Sequence, residues 1–432
     1  MLAVLRQRNF ALLWAGSVIS LLGDWLLLLV LPLFVYQRTG SALATGAMFI
    51  VETLPSLCLG SLAGVFVDRW DRRRTMIITD VSRALVLLPL LLVQDHTWLG
   101  LVYGVVFVQG AISQLFAPAQ GALIPVVVGE EHLTAANAMN ALGAQLMRLI
   151  GPLLGGVLFG ILGLEAVIIT DSLSYVFSGL MSLLVVLPPG APRGSFPPRL
   201  PHRSTHSMFW QEWLEGLRFL HAERIILILF LISGTAMLGD GMIRAVGTPF
   251  LSQVAGGNAV LFSWIVAAQG TGAVIGSLVI NHITKMLHPF KLLALAAAVT
   301  AMLGFIEVAF PILPVVITCA ALMGAPIVFF FVNIYTALQQ SISDQYRGRV
   351  LGTYATVNML LYLGGMILSS LLTLQLSNRY VLLIGECFYF VAGIVAFLWL
   401  RRENQQGGTK TSARGQEESA KGRVNVSSDT CY

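Results

Sequence analysis

The sequence predicts an all-α membrane protein of twelve transmembrane helices, arranged as two pseudo-symmetric six-helix bundles. Three observations carry this. Hydrophobic residues make up 56% of the chain and charged residues only 11%, with a mean hydropathy of +0.80; soluble domains carry roughly 25% charged residues. Apolar runs of about 20 residues recur, each long enough to cross a hydrocarbon core ~30 Å thick as a helix. The second half of the chain also repeats features of the first at a nearly constant offset.

The predicted spans cover 10–36, 43–67, 76–94, 98–117, 137–162, 165–187, 225–253, 258–282, 291–310, 313–335, 350–374 and 380–400. The first is too long for a signal-peptide core and lacks a small-x-small cleavage site, so it is expected to stay in the mature protein. The second ends in Gly60-Ser-Leu-Ala-Gly64, whose glycines allow close helix packing. It runs into Asp68-Arg69-Trp70-Asp71-Arg72-Arg73-Arg74, charges that belong in a tight loop at the membrane surface. The third span holds Asp80 and Arg83, the fourth Gln109-Gly110, and the fifth Arg148 followed by Gly151-Pro152-Leu-Leu-Gly155-Gly156, where Pro152 permits a bend. After the sixth comes a proline-rich, semi-extended stretch, 188–201. Apolar positions 209, 213, 217 and 220 then suit either an interfacial helix or the start of span 7. Residues 401–432 are polar and Gly/Ser-rich, as in a disordered tail. The expected organisation is a first bundle over 1–187, a linker over 188–224, a second bundle over 225–400 and the tail.

Lys and Arg placement sets the orientation. Of the 26, Arg83, Arg148 and Arg244 lie in spans and Arg38 and Arg379 in loops on one side; the other 21 fall on the opposite side, with both termini. Both ends are therefore expected in the cytoplasm, which requires an even number of spans. This bias accounts for the net charge of +5 without nucleic-acid binding. Cys58, Cys319, Cys387 and Cys431 are scattered and suggest neither a disulfide nor a zinc site. All seven histidines lie in or beside loops, which argues against an intramembrane metal cluster.

At an offset of 216, Leu22-Gly23-Asp24 recurs as Leu238-Gly239-Asp240, Gln37 as Gln253 and Gly60-Ser61-Leu62 as Gly276-Ser277-Leu278. At 214, Gly151 falls on Gly365 and Gly155-Gly156 on Ser369-Ser370. Parallel repeats of this kind place a binding site near the midplane between the halves.

The loop after span 2 resembles the helix 2–3 loop of the major facilitator superfamily, Gly-x-x-x-Asp-Arg-x-Gly-Arg-Arg. Gly64, Asp68, Arg69, Arg72 and Arg73 match, while Asp71 stands where that pattern has glycine. The resemblance implies that Asp68 docks at the start of helix 11, here Asp344-Gln-Tyr-Arg347-Gly348-Arg349, where the helix dipole favours negative charge. Gly64, Asp68, Arg69, Arg72, Arg73, Asp344, Arg347 and Arg349 would then form a cytoplasmic gate. It would be asymmetric, because Thr284 stands at the repeat position of Asp68. The segment 147–156 resembles the superfamily's helix 5 antiporter motif through Gly151, Pro152, Gly155 and Gly156, with Met147 in place of the first glycine. That implies export by antiport; ordinary small-residue packing is the alternative. The Glu215–Leu220 segment resembles the entry to helix 7 of drug-export members. Their helix 4 arginine is missing: Val106 occupies the position three before Gln109-Gly110.

Intramembrane ionisable groups are candidate functional sites by default. Asp24 sits amid Leu, Gly, Val and Ile, and a carboxyl so placed can load and release a proton. One proton crossing ~100 mV releases about 2.3 kcal/mol, enough for a roughly fifty-fold substrate gradient. Packing by hydrogen bonds alone is the alternative. Asp80/Arg83 and Asp240/Arg244 are spaced for local pairing, and structural pairing is favoured for the first. Arg148 has no acid within a helical turn, and Glu52 and Asp24 are its natural partners. Asp24, Glu52, Arg148 and Asp240 are thus the expected proton-coupling residues. Trp25, Tyr103, Trp264, Phe330, Tyr354 and Tyr362 are candidates for lining a cavity for bulky amphipathic molecules.

The sequence therefore reads as a proton-coupled exporter of amphipathic, drug- or macrolide-like small molecules, similar to the branch of the superfamily containing macrolide-efflux and siderophore exporters. It is expected in a bacterial inner membrane, as a monomer, without cofactor. Export of an endogenous siderophore or lipid-like metabolite, and a non-transporting membrane sensor or scaffold, remain the rival readings. An enzyme is disfavoured: the chain shows no nucleophile–base arrangement, metal-ligand spacing or nucleotide-binding loop.

Overall fold

In a computed structural model, residues 2–67, 70–93, 99–187, 224–342 and 347–401 are described. The linker, its amphipathic segment, the tail and the loop residues Asp68, Arg69 and Asp344 lie outside these. Helix α1 spans Arg8–Thr39, α2 Ala42–Val67, α3 Arg72–Leu87 with a 3-10 turn over Leu88–Leu92, and α4 Leu99–Val128. The next helical segment, Leu133–Leu184, has 52 residues and would reach about 78 Å if straight, far more than a membrane core. It breaks at Gly163, whose φ of 82° and ψ of −176° are open only to glycine. We therefore treat it as α5 (133–162) and α6 (164–184). The second half holds α7 (Arg224–Val254), α8 (Ala259–Met286), α9 (Pro289–Ala309), α10 (Leu313–Ser341), α11 (Arg347–Leu372) and α12 (Asn378–Arg401). Eleven described segments are long and apolar enough to cross a membrane; dividing the longest at Gly163 gives twelve spans.

The surface loops are made locally. Gly40, at φ 62°, closes α1, and the Asp71 carboxylate caps α3 by accepting from the Arg74 amide at 2.9 Å. Arg72 donates to the Ala122 carbonyl of α4 at 3.0 Å, and Arg73 to Ser182 at 3.0 Å and to Leu183 in the last turn of α6. These arginines brace the first bundle and complement the α6 C-terminus. Gly64 lies near the end of α2, and Arg347 and Arg349 open α11.

The repeat is visible in packing. In the first half α5 lies on α1, where a Cβ at Gly151 would strike Trp25 and one at Gly155 the Leu26 backbone. In the second half α11 lies on α7 in the same way, with Gly365 against Leu238. Each bundle keeps its own apolar core, around Leu87, Ile168 and Tyr175 in the first and Leu293, Phe330 and Tyr389 in the second.

We call the side where α1 and α7 begin the terminal face, and the other the opposite face. At the opposite face the bundles are joined. Gln37 donates to the Gly257 carbonyl at 2.9 Å and its repeat mate Gln253 to the Tyr36 hydroxyl at 2.7 Å. Among the described residues these are the hydrogen bonds between the halves. Beside them, Gly156 of α5 fits against Ser263 and Ala259 of α8, and Ser370 of α11 against Gly46 of α2. The two seams are related by the repeat, with glycine and serine exchanged. Further along the same α5 stripe, Leu149 still reaches Gly270 of α8, but Leu146 and Leu142 are 41% and 48% exposed. The helices therefore part toward the terminal face, and this conformation is closed at the opposite face.

Candidate functional site

Two polar clusters lie within the membrane-spanning region. The first belongs to the N-terminal bundle. Asp24 of α1 accepts from the Arg83 guanidinium of α3 at 2.6 Å and from the Tyr175 hydroxyl of α6. That hydroxyl accepts from Arg83 Nη2 at 2.8 Å and from Gln109 Nε2 of α4 at 2.7 Å, so four helices meet at one oxygen. Arg83 also lies 4.0 Å above the Tyr175 ring centroid, and Asp80 is 4.0 Å from its other nitrogen. Asp171 of α6 completes the group: its charge acts on Arg83, and its carboxyl occupies the space a Cβ at Gly23 would need. Three acids thus surround one guanidinium. Asp80 and Asp171 are fully buried, whereas Asp24 is 35% exposed.

This differs from the pairings expected from spacing. Arg83 is held closely by Asp24, not Asp80, because a carboxylate on a facing helix, steadied by a tyrosine hydroxyl, offers a shorter and better aligned contact than an (i, i−3) neighbour. The arginine that meets Asp24 comes from α3, and Arg148 is not its partner. Tyr175→Phe, which removes the shared hydroxyl, is expected to destabilise the fold by about 1–3 kcal/mol; thermal unfolding of the purified variant checks this.

The second cluster bridges the halves. Arg148 of α5 makes no ion pair within 4.0 Å among the described residues; it is exposed and lies 5.9 Å over the Trp25 ring. Its charge acts on Asp240 of α7, in the opposite bundle, whereas the arginine acting on Glu52 is Arg244. Arg244, one turn beyond Asp240, is not within 4.0 Å of it and lies 4.6 Å over the ring of Phe49 on α2. From there its charge acts on both Asp240 and Glu52. Tyr362 of α11 lies within the field of all three. Glu52, Arg148 and Trp25 from one half therefore converge with Asp240, Arg244 and Tyr362 from the other. Such a set can bind a polar or charged group of a cargo, and its charges separate when the halves move.

The remaining aromatic candidates lie elsewhere. Phe330 is fully buried in the second core, edge-on to Tyr389, so it does not line a cavity; its α10 face packs inward against α12. Trp264 is 54% exposed and follows Ser263, whose side chain fills the α5 seam, so the indole is not part of the bridging cluster. Tyr103 is tied to the Ala44 carbonyl at 3.0 Å inside the first bundle. Tyr354 shares a hydrogen bond with Ser233 at 2.8 Å and packs edge-on to Phe230. Among the antiporter-like residues, Gly151 and Gly155 seat α5 on α1, while Gly156 faces the other half.

Sequence reasoning missed Tyr175, Asp171, Arg244 as a bridging group, Glu307 and Glu386. A signal existed for the tyrosine: Tyr175 and Tyr389 are 214 apart, and Tyr389 donates to Asp240 at 3.2 Å as Tyr175 does to Asp24.

Comparison with known proteins agrees with this architecture. The sequence profile of the Major Facilitator Superfamily matches residues 13–363 and 229–429. Macrolide efflux protein A of Streptococcus pyogenes is 25% identical over 395 residues, covering 89% of this chain and 94% of that protein. The staphyloferrin A transporter of Staphylococcus aureus is 21% identical over 362 residues, covering 82% and 87%. Among solved structures, a bacterial homologue of the iron transporter ferroportin in an inward-facing state superposes with a TM-score of 0.70 at 14% identity, covering 91% of this chain and 98% of that one. Twelve spans in two repeated bundles, a polar cluster between them and a family match over most of the sequence lead to one conclusion: the chain is a multi-pass membrane transporter, not an enzyme, and belongs to the Major Facilitator Superfamily.

Proposed function

We propose that the protein exports amphipathic small molecules of macrolide-like character from the bacterial cytoplasm, as a monomer in the inner membrane, driven by the proton gradient. The terminal face is then cytoplasmic, as the Lys and Arg bias indicates, and the conformation described is open inward. Relatives named as efflux proteins, macrolide efflux protein A and the multidrug efflux pump Tap of Mycolicibacterium fortuitum, support the direction.

The observation that carries the reading is the network at Asp24. Its side chain is one-third exposed, yet it is held by a single guanidinium that has two further acids beside it. A proton arriving on Asp24 cancels its hold on Arg83. The arginine can then turn toward Asp80 and Asp171, which pulls α3 and α6 relative to α1. Protonation is thereby converted into a shift of one bundle wall, and the bridging cluster transmits that shift to the cargo.

Erythromycin efflux from inverted vesicles under an imposed pH gradient tests this. Asp24→Asn, which mimics the protonated form, is expected to reduce gradient-driven transport at least tenfold at unchanged expression. Wild-type efflux in that variant removes Asp24 as the carrier. One observation favours a second reading: Arg148, exposed beside Trp25 and without a close carboxylate, suits an anionic cargo such as a carboxylate siderophore.

A further inference from the structure

The C-terminal bundle contains two acids that the proposed cycle does not use. Glu386 of α12 is 3% exposed, and its Oε2 has no hydrogen-bond partner among the described residues. Its carboxyl group rests directly on α9 at Gly304, in the space a Cβ there would take. Glu307 lies three residues further along α9, on the face that receives Glu386, and its charge acts on Glu386. Three residues along α12 is Tyr389, whose hydroxyl donates to Asp240 at 3.2 Å. Asp240 in turn acts on Glu386.

The charged groups facing this pair are themselves acids. Glu386 meets Glu307 from α9 and Asp240 from α7. Tyr389 shares its helix, Tyr362 of α11 faces Tyr389, and Cys319 of α10 lies in the field of Glu307. Arg148 and Arg244 act on Asp240 and on neither glutamate. Arg379, at the opposite face, donates to the Ala309 carbonyl at 3.2 Å. A buried carboxylate without a cation is prohibitively costly, so the pair must hold at least one proton. A metal ion would need more oxygen donors than two carboxylates supply, and no group of three or more metal-ligating side chains is present among the described residues.

Contacts between the helices place the groups. Glu307 lies within a turn of the opposite-face end of α9, about 3 Å in, and Gly239 of α7 packs directly on Gly385 of α12, which brings Asp240 and Glu386 to one level of the bundle. We propose that Glu307, Glu386, Tyr389 and Asp240 form a proton relay through the C-terminal bundle, linking the opposite face to the bridging cluster. It rests on the proton-coupled reading and gives it a second proton site, separate from Asp24. Tyr389 is already bonded to Asp240 and accepts one proton as it gives one up; the transfers from Glu307 to Glu386 and from Glu386 to Tyr389 run through a bridging water or a turn of the Glu386 side chain, whose Oε2 is unpartnered.

Infrared difference spectroscopy of the full chain in liposomes, titrated in pH without cargo, tests the buried proton; gradient-driven erythromycin efflux tests its use. The wild type is expected to show a protonated-carboxyl stretch that Glu386→Gln abolishes and Glu307→Gln displaces. Both variants should also lose most of the dependence of efflux on the pH gradient. Glu307→Gln leaves the Gly304 contact untouched, so it remains informative if Glu386→Gln folds poorly. A Glu386→Gln protein that keeps both the wild-type band and the gradient dependence overturns the relay alone. A wild type whose efflux ignores the pH gradient overturns the coupling reading and the relay with it.

Discussion

Arg83→Met is expected to lower the unfolding temperature sharply and to abolish erythromycin efflux. The guanidinium is buried, bonded to Asp24 at 2.6 Å and to the Tyr175 hydroxyl at 2.8 Å, and it is the cation among Asp24, Asp80 and Asp171. Removing one partner of a buried pair typically costs about 3–5 kcal/mol, because the other charge is left uncompensated. Here three carboxyls lose their shared counter-ion, so the cost belongs at the upper end. Arg83→Lys keeps the charge but loses the flat group that stacks over the Tyr175 ring and the second nitrogen that faces Asp80, and it should fall between the two. Thermal unfolding followed by tryptophan fluorescence measures the ladder. Equal unfolding temperatures for wild type, Lys and Met variants would show that the cluster contributes nothing to the bundle.

Gly156→Leu is expected to leave folding largely intact and to stop turnover by holding the opposite face apart. The glycine lies against Ser263 and Ala259 of the other half, where even a methyl group would collide. A leucine forces α5 and α8 apart at the tightest part of their seam. Leu33, fully buried near this seam against Ala255, Ala259 and Phe262, gives a reporter. In a background without the native cysteines, a cysteine introduced at position 33 should be shielded from a membrane-impermeant maleimide in the wild type. It should be labelled at least tenfold faster when Gly156→Leu is added. Equal labelling would mean that the seam does not seal the opposite face.

Much of this architecture was legible in the sequence, because a bilayer imposes length and polarity rules that few other environments match. The number of spans and the two halves followed from apolar runs and a repeated offset. Which acid meets which arginine did not follow, since spacing along one helix is blind to facing helices. Asp24 binds Arg83 from α3, and Arg148, over the Trp25 ring, acts on Asp240 across the interface, for tertiary reasons alone. Phe330 looked like any intramembrane aromatic until the inward rotation of α10 placed it against Tyr389. The Tyr175–Tyr389 correspondence was available at the offset already seen for Gly151 and Gly365, but tyrosine in an apolar span attracts less notice than a charge. Asp171, Glu307 and Glu386 carried the same signal as Asp24, a carboxyl in hydrocarbon.

The reciprocal bonds of Gln37 and Gln253 have an energetic consequence for how the machine turns over. Each is an exposed, neutral hydrogen bond worth about 0.5–1.5 kcal/mol net, and small-residue seams in lipid gain little from the hydrophobic effect. The two bonds alone hold the opposite face by only a few multiples of thermal energy, so most of the closure rests on the packing of Leu33 and of the Gly156 and Gly46 seams. Those seams part without leaving a charge unpaired. In the proposed proton-driven cycle, the gradient then acts as a ratchet, deciding which openings are followed by a loaded return.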